Sequence, residues 1–179
     1  MQPDEIAPEL KAWRKRRMVE PGPTTTKVEL GRTEIERLLQ HRDPFLFVDQ
    51  ITAIDLEQKW CRGVRRIHPK DPVFVGHFPQ YPIYPGVLCL ETMGQLGICL
   101  LHFLATKTVA VPTGTSPRPV RALKIHHALF QGEVLPGDEV EILAKLVSED
   151  DYTAICGGQL IKNGAIVSMA LMEVYLVSE

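Results

Sequence analysis

The stretch VLCLETMGQLGICLLHFLAT, which runs from Val87 to Thr106, predicts a helix of twenty residues. Apolar side chains occupy positions all round its circumference, and such a helix must be buried on most of its faces. Pro85 suits the first turn, because the N–H that proline lacks would have no partner inside the helix. The sequence therefore predicts one central helix around which the rest of the chain folds.

Downstream of this helix, stretches rich in β-branched and aromatic residues alternate with turn signals. The dipeptide Asn163-Gly164 is the strongest of these signals, because both of its residues accept positive φ. We predict four strands there: Arg121–Gly132, Glu139–Ser148, Tyr152–Ile161 and Ala165–Leu176.

Upstream of the helix, the pattern predicts two further strands, Phe45–Asp55 and Trp60–Ile67. A capping box that starts at Thr33, with Glu36 three residues later, predicts a short helix before them. Five of the 14 prolines crowd into residues 69–85, which predicts an ordered loop. One long helix and about six strands define an α+β domain, a curved antiparallel sheet wrapped around a central helix.

We assign this domain to residues 31–179 and treat residues 1–30 as an N-terminal extension. Basic residues cluster between Lys11 and Arg17, and Pro21-Gly22-Pro23 resembles a linker. The extension is either a basic arm for an acidic partner or a flexible, solvated or swapped segment. The second interpretation is favoured because basic runs are usually just solvated. Trp13 argues against full exposure.

The composition excludes several classes of protein. The 179 residues carry 20 Lys+Arg and 22 Asp+Glu, a net charge of -2, which gives no electrostatic reason to expect nucleic acid. The four scattered cysteines are typical of reduced thiols in a cytoplasmic protein. No signal peptide is recognisable, and the apolar run from Leu96 to Ala105 is too short for a membrane span. We therefore expect neither a membrane partner nor export.

Glu91 is the only formally charged residue between Tyr81 and Thr106. An ionised carboxylate within an apolar helix is unfavourable unless it finds a partner or takes up a proton. A glutamic acid that keeps its proton near neutral pH is a general acid. The alternative is an exposed carboxylate at the helix end, but Gln95 extends the polar face one turn further and favours a functional role.

Two neighbouring features also point to chemistry. His77 lies in the proline-rich loop, and imidazole is the side chain best suited to proton transfer near pH 7. Gly86 and Val87 open the helix, where free N–H groups and the positive end of the dipole favour a developing oxyanion. Taken alone, each feature has an ordinary structural explanation. We predict no metal site, because four further histidines show no metal-ligand spacing: His41, His68, His126 and His127.

The stretch from His41 to Asp49 resembles the PHRYPFLLVDR opening of the 3-hydroxyacyl-[acyl-carrier-protein] dehydratases. The stretch from Gly76 to Gln95 resembles their GHFPGxPIMPGVLxxEAMAQ signature, and Glu91 follows His77 by fourteen positions, which matches the family's separation. Val134-Leu135-Pro136-Gly137-Asp138 resembles their later VxPGD turn. The matches run in order from about residue 33 to 176.

The resemblance implies a hot-dog fold and a homodimer whose sheets join edge to edge, with a trimer of dimers as a further assembly. It implies that each active site takes His77 from one subunit and Glu91 from the other. It also implies a cis peptide bond after His77. Tyr84 stands where the family usually has Met, near the expected substrate tunnel.

The activity implied is dehydration of a (3R)-hydroxyacyl thioester, carried by acyl-carrier protein or coenzyme A, to the trans-2-enoyl thioester. His77 would take the C2 proton and Glu91 would protonate the leaving hydroxyl, with no cofactor. The substrate would be bound or oriented by five residues: Phe78, Tyr84, Gly86, Val87 and Gln95. A hot-dog acyl thioesterase and a non-catalytic acyl-thioester-binding protein remain the alternatives.

Overall fold

The computed structural model describes residues 6–177. Three helices are present in this range: α1 (Ala7–Trp13), α2 (Arg32–Leu38) and α3 (Gly86–Thr106). The strands are β1 (Thr26–Leu30), β2 (Gln50–Asp55), β3 (Trp60–Arg66), β4 (Val120–Phe130), β5 (Glu139–Glu149), β6 (Thr153–Lys162) and β7 (Ala165–Leu176).

The strands form one antiparallel sheet in the order β1-β2-β3-β5-β6-β7-β4. The sheet curves around α3, which contacts β3, β5, β6 and β7. Leu96, Leu100 and Phe103 of α3 are fully buried in the core. The predicted α+β hot-dog architecture is confirmed, with seven strands instead of about six. The additional strand, β1, lies inside the stretch that the sequence assigned to the extension.

The turn between β6 and β7 has the predicted chemistry. Lys162 ends β6 and Ala165 begins β7, so the turn contains only Asn163 and Gly164. Both residues have positive φ, 50° and 80°. This conformation is the reason that Asn-Gly is favoured in two-residue hairpins.

Two local predictions were wrong. Helix α2 is capped at Gly31, whose N–H donates to the Glu34 carboxylate at 3.0 Å, so Thr33 lies within the first turn. Strand β2 begins at Gln50 and not at Phe45. The backbone of residues 45–47 bonds to a side chain of α3 instead of to a neighbouring strand, which lays this loop against the helix.

Helix α3 is long and apolar enough to cross a membrane by length and composition alone. In the structure it is the central helix of the domain, and more than half of the apolar stretch is buried inside the sheet. Its composition is therefore explained by the core.

Candidate active site

The backbone around His77 fixes which nitrogen of its ring is free. A 3-10 turn, Pro72–Val75, precedes it, and the peptide bond to Phe78 is cis. Nδ1 of His77 lies 2.9 Å from the carbonyl oxygen of Ile83. A carbonyl only accepts hydrogen bonds, so Nδ1 carries the proton of the neutral ring and Nε2 keeps its lone pair. The His77 ring stacks on Phe78 at 4.1 Å between centroids.

His77 and the start of α3 line one cavity of about 470 Å³. The N–H groups of Leu88 and Cys89 bond to the Pro85 carbonyl, whereas those of Gly86 and Val87 have no partner within residues 6–177. Free N–H groups at a helix N-terminus favour negative charge on a ligand oxygen. Gly86 lines the same cavity as His77, which therefore holds a candidate base and a candidate oxyanion donor.

Gly86 also makes a close approach possible. A Cβ atom at this position would come within 3.0 Å of the Phe130 ring, which is closer than side chains ordinarily pack. Phe130 ends β4 and lines the same cavity. Glycine therefore allows β4 and the start of α3 to meet beside His77.

The Glu91 carboxylate is held by Gln95, one turn further along α3. Gln95 is fully buried, and its Nε2 donates to Oε1 of Glu91 at 2.9 Å. The same amide accepts the Phe47 N–H at 2.7 Å and donates to the Phe45 carbonyl at 2.9 Å. These backbone bonds fix the orientation of the amide, so Gln95 can only donate to Glu91.

His41 is a residue of this cluster that the sequence analysis missed. Its Nε2 lies 3.3 Å from Oε1 of Glu91. Its Nδ1 is buried and has no hydrogen-bond partner within residues 6–177. Fifty residues separate the two side chains, so no spacing rule could pair them. The one available signal was that His41 opens the stretch that resembles the dehydratases.

Glu91 lies in a second cavity, of about 590 Å³. One face of α3, from Val87 to Ile98, lines this cavity. At a rise of 1.5 Å per residue, this face is about 16 Å long. The opposite wall comes from β4 and β7. The two cavities share no lining residue, so within one chain His77 and Glu91 line different cavities.

Strand β4 borders both cavities and is the last strand of the sheet. Within residues 6–177 it pairs only with β7. Leu123 and Ile125 of this strand are 57% and 55% exposed. Exposed apolar side chains on an edge strand mark a contact surface, because such an edge otherwise promotes aggregation.

Tyr84 and Cys89 line the His77 cavity and are buried. The Tyr84 ring packs edge-on to Phe47 at 6.5 Å, so it neither points to solvent nor stacks on Phe78. Burial raises the pKa of Tyr84 to about 12 and that of the Cys89 thiol to about 12. Both groups therefore keep their protons near neutral pH.

Comparison with known proteins agrees with this architecture. The FabA-like domain model matches residues 39–170. A 3-hydroxyacyl-[acyl-carrier-protein] dehydratase FabZ of Methylobacterium nodulans is 38% identical, over 87% of this chain and 96% of that protein. The dehydratase heterocomplex ApeI:P of Xenorhabdus doucetiae has a TM-score of 0.63 at 15% identity, over 81% of this chain and 91% of that chain. A crystallised thioesterase-like protein of Ralstonia eutropha has a TM-score of 0.51 at 18% identity, over 70% of this chain and 83% of that chain.

The fold and the cluster around α3 define a hot-dog protein with acid and base groups beside its central helix. The match to the FabA-like domain model and the similarity to FabZ over most of the chain show the family to which the protein belongs. The chain belongs to the FabA-like family of 3-hydroxyacyl-[acyl-carrier-protein] dehydratases.

Proposed function

We propose that this protein is a hydro-lyase that converts (3R)-hydroxyacyl thioesters on acyl-carrier protein to trans-2-enoyl thioesters, in fatty-acid or related acyl-chain synthesis. The observation that carries the proposal is the cavity that combines the free Nε2 of His77 with the free N–H group of Gly86. Removal of a weakly acidic C2 proton needs a base and enolate stabilisation together.

In the first half of the reaction, Nε2 of His77 takes the C2 proton. The thioester carbonyl oxygen gains negative charge and accepts the Gly86 N–H at the positive end of α3. One such preorganised donor commonly contributes about 3–4 kcal/mol to transition-state stabilisation. A positioned base contributes a further factor of about 10²–10⁴ in rate.

In the second half, Glu91 protonates the C3 hydroxyl, which leaves as water while the C2–C3 double bond forms. Gln95 donates to Oε1, and Nε2 of His41 lies 3.3 Å from the same oxygen. Oε1 is therefore the acceptor of the carboxyl group, and the acidic proton resides on Oε2. Gln95 and His41 act as positioning residues, because they hold the carboxyl group with Oε2 toward the substrate.

The active site is completed by a second copy of the chain, in a homodimer that joins through the β4 edges. Two observations support this arrangement: the exposed apolar residues of β4, and the separation of His77 from Glu91 within one chain. Pairing of two β4 edges brings His77 of one subunit toward Glu91 of the other. A trimer of such dimers is a further assembly compatible with the family.

The acyl chain lies along α3, in the cavity that begins at Val87 and ends at Ile98. Leu90, Ile98 and Met172 provide the apolar wall that a hydrocarbon chain requires. Phe78 and Tyr84 contact the substrate on the His77 side. The four buried free cysteines support a reducing, cytoplasmic location.

A product assay tests the proposal. A 3-hydroxydecanoyl thioester of acyl-carrier protein is incubated with the protein, and the enoyl thioester and free thiol are measured separately. Dehydration gives the enoyl thioester with no free thiol. Release of free thiol at the rate of substrate loss would establish the thioesterase alternative. Binding of the thioester without turnover would establish the non-catalytic one.

A further inference from the structure

Residues 11–17, KAWRKRR, form what we term the basic segment. Five of the 20 Lys and Arg residues lie within these seven positions, although the chain has a net charge of -2. Arg17 pairs with Glu20 and Glu141. The other four cationic side chains are exposed and form no ion pair within residues 6–177: Lys11, Arg14, Lys15 and Arg16.

The backbone of the basic segment is fixed by one buried amide. Gln159 of β6 is fully buried, and its Oε1 accepts the Met18 N–H at 2.8 Å. Its Nε2 donates to the carbonyls of Trp13 and Arg16 at 2.7 and 3.0 Å. A flexible, solvated segment would not have its backbone bonded to a buried side chain. These hydrogen bonds therefore distinguish the basic segment from an ordinary solvated run of charged residues.

Packing on the outer face of the sheet adds a second constraint. Trp13 and Met18 are buried with Leu143 and Leu171, on the face opposite to α3. The Trp13 ring lies so close to β6 that a Cβ atom at Gly157 would come within 2.6 Å of it. The sheet surface is therefore shaped to receive this tryptophan, and the backbone that carries the neighbouring charges is held in place.

The basic segment lies next to the His77 cavity. The Arg14 carbonyl accepts a hydrogen bond from Nε2 of Gln131 at 2.8 Å. Gln131 follows β4 and lines the cavity together with His77 and Phe78. One residue thus joins the candidate catalytic cavity to a fixed cluster of exposed cations.

We infer that the basic segment is the docking surface for the carrier protein that delivers the thioester, and that the docking face of that carrier is acidic. The inference rests on the proposed function. Fixed cations beside an active-site opening raise the encounter rate of an anionic partner about 10–10³-fold. The negative net charge of the whole chain favours a compact acidic protein surface over an extended polyanion.

The test compares two substrates that share one acyl group. The first is 3-hydroxydecanoyl acyl-carrier protein, and the second is the 3-hydroxydecanoyl thioester of N-acetylcysteamine, which has no carrier and no charge. The variant is Arg14→Glu/Lys15→Glu, which reverses two exposed charges without touching either cavity. A matched control, Lys27→Glu/Lys59→Glu, reverses two exposed charges near the β1 end of the sheet.

For Arg14→Glu/Lys15→Glu we expect kcat/KM on the carrier substrate to fall about tenfold or more, within the range of electrostatic steering. On the N-acetylcysteamine thioester it should stay within about twofold of the unmodified protein. Added salt should reduce the carrier rate of the unmodified protein and the control, since salt screens exposed charges beyond about 8 Å at 0.15 M. The same salt should scarcely change the variant.

Equal kcat/KM values of the variant and the control on the carrier substrate would overturn the inference. So would a lower molar mass of the variant by light scattering, because the basic segment would then be a subunit contact. Failure of the unmodified protein to dehydrate either thioester would refute the proposed function itself. The two failures are thereby distinguished.

Discussion

Nε2 of His41 lies 3.3 Å from Oε1 of Glu91, and the same oxygen accepts a hydrogen bond from Gln95 at 2.9 Å. The two side chains come from different parts of the chain, a loop before β2 and the next turn of α3. Both lie beside Oε1, so Oε2 is the oxygen that carries a proton to a substrate.

His41→Ala should lower kcat about tenfold with little change in KM, because the imidazole beside Oε1 helps to hold the Glu91 carboxyl group in place, and a tenfold change in rate corresponds to about 1.4 kcal/mol. His41→Gln should recover part of the loss, since its amide supplies an N–H donor. The pH profile of kcat should shift in His41→Ala and return toward the original in His41→Gln. Full kcat in His41→Ala would remove the positioning role.

Gly86→Ala should lower kcat by about tenfold or more, because its Cβ meets the Phe130 ring at 3.0 Å and displaces the N–H donors at the start of α3. Phe130→Leu in the same chain should restore part of the activity by giving the methyl group room. Gly97→Ala is the control, since its Cβ has an ordinary 3.7 Å contact with Cys156. Unchanged kcat in Gly86→Ala would contradict the proposed oxyanion site.

Tyr84→Met should broaden turnover toward longer acyl chains. The tyrosine ring is rigid and buried between Phe47 and Phe74 on the wall of the His77 cavity. A flexible methionine leaves more space there. Turnover measured across 3-hydroxyacyl thioesters of increasing length checks this, and an unchanged profile would show that Tyr84 does not limit chain length.

Stability should fall at alkaline pH. Burial raises the pKa of Cys156 from 9.0 to about 12, so the thiol ionises in the unfolded chain at lower pH than in the folded protein. The folded state is therefore favoured below pH 9 and loses this advantage as the pH rises toward 12. Each such thiol adds a slope of up to about 1.4 kcal/mol per pH unit.

Urea unfolding at several pH values between 8 and 10.5 measures this slope, and Cys156→Ala should show a shallower one. Identical slopes for the two proteins would contradict the assignment of a raised pKa to this thiol.

The central helix and the β6–β7 hairpin could be predicted from the sequence because their causes are local. An apolar circumference from Val87 to Thr106 requires burial, and Asn163-Gly164 supplies positive φ. Strand β1 was not predicted although Val28 and Leu30 alternate with Lys27 and Glu29, because a pattern of five residues is short and it directly follows the linker-like residues 21–25. The loop at residues 45–49 has strand composition, but its backbone bonds to Gln95.

The site could be predicted only where it rests on short-range pattern. The lone charge of Glu91 and its neighbour Gln95 are visible on one helix face. The contact of His41 with Glu91 depends on the path of the chain between them, which periodicity does not encode. The hydrogen bonds from Gln159 to the backbone carbonyls of Trp13 and Arg16 depend on the path of the chain in the same way.

The most direct test of the account is complementation between two inactive variants, His77→Ala and Glu91→Gln. Each alone should retain its fold and dimeric mass but lose dehydration. When both are co-expressed at equal levels, a mixed dimer contains one site with intact His77 and Glu91, so a two-fold dimer predicts recovery of about a quarter of the original kcat. Activity no higher than that of the separate variants would contradict a site shared between subunits.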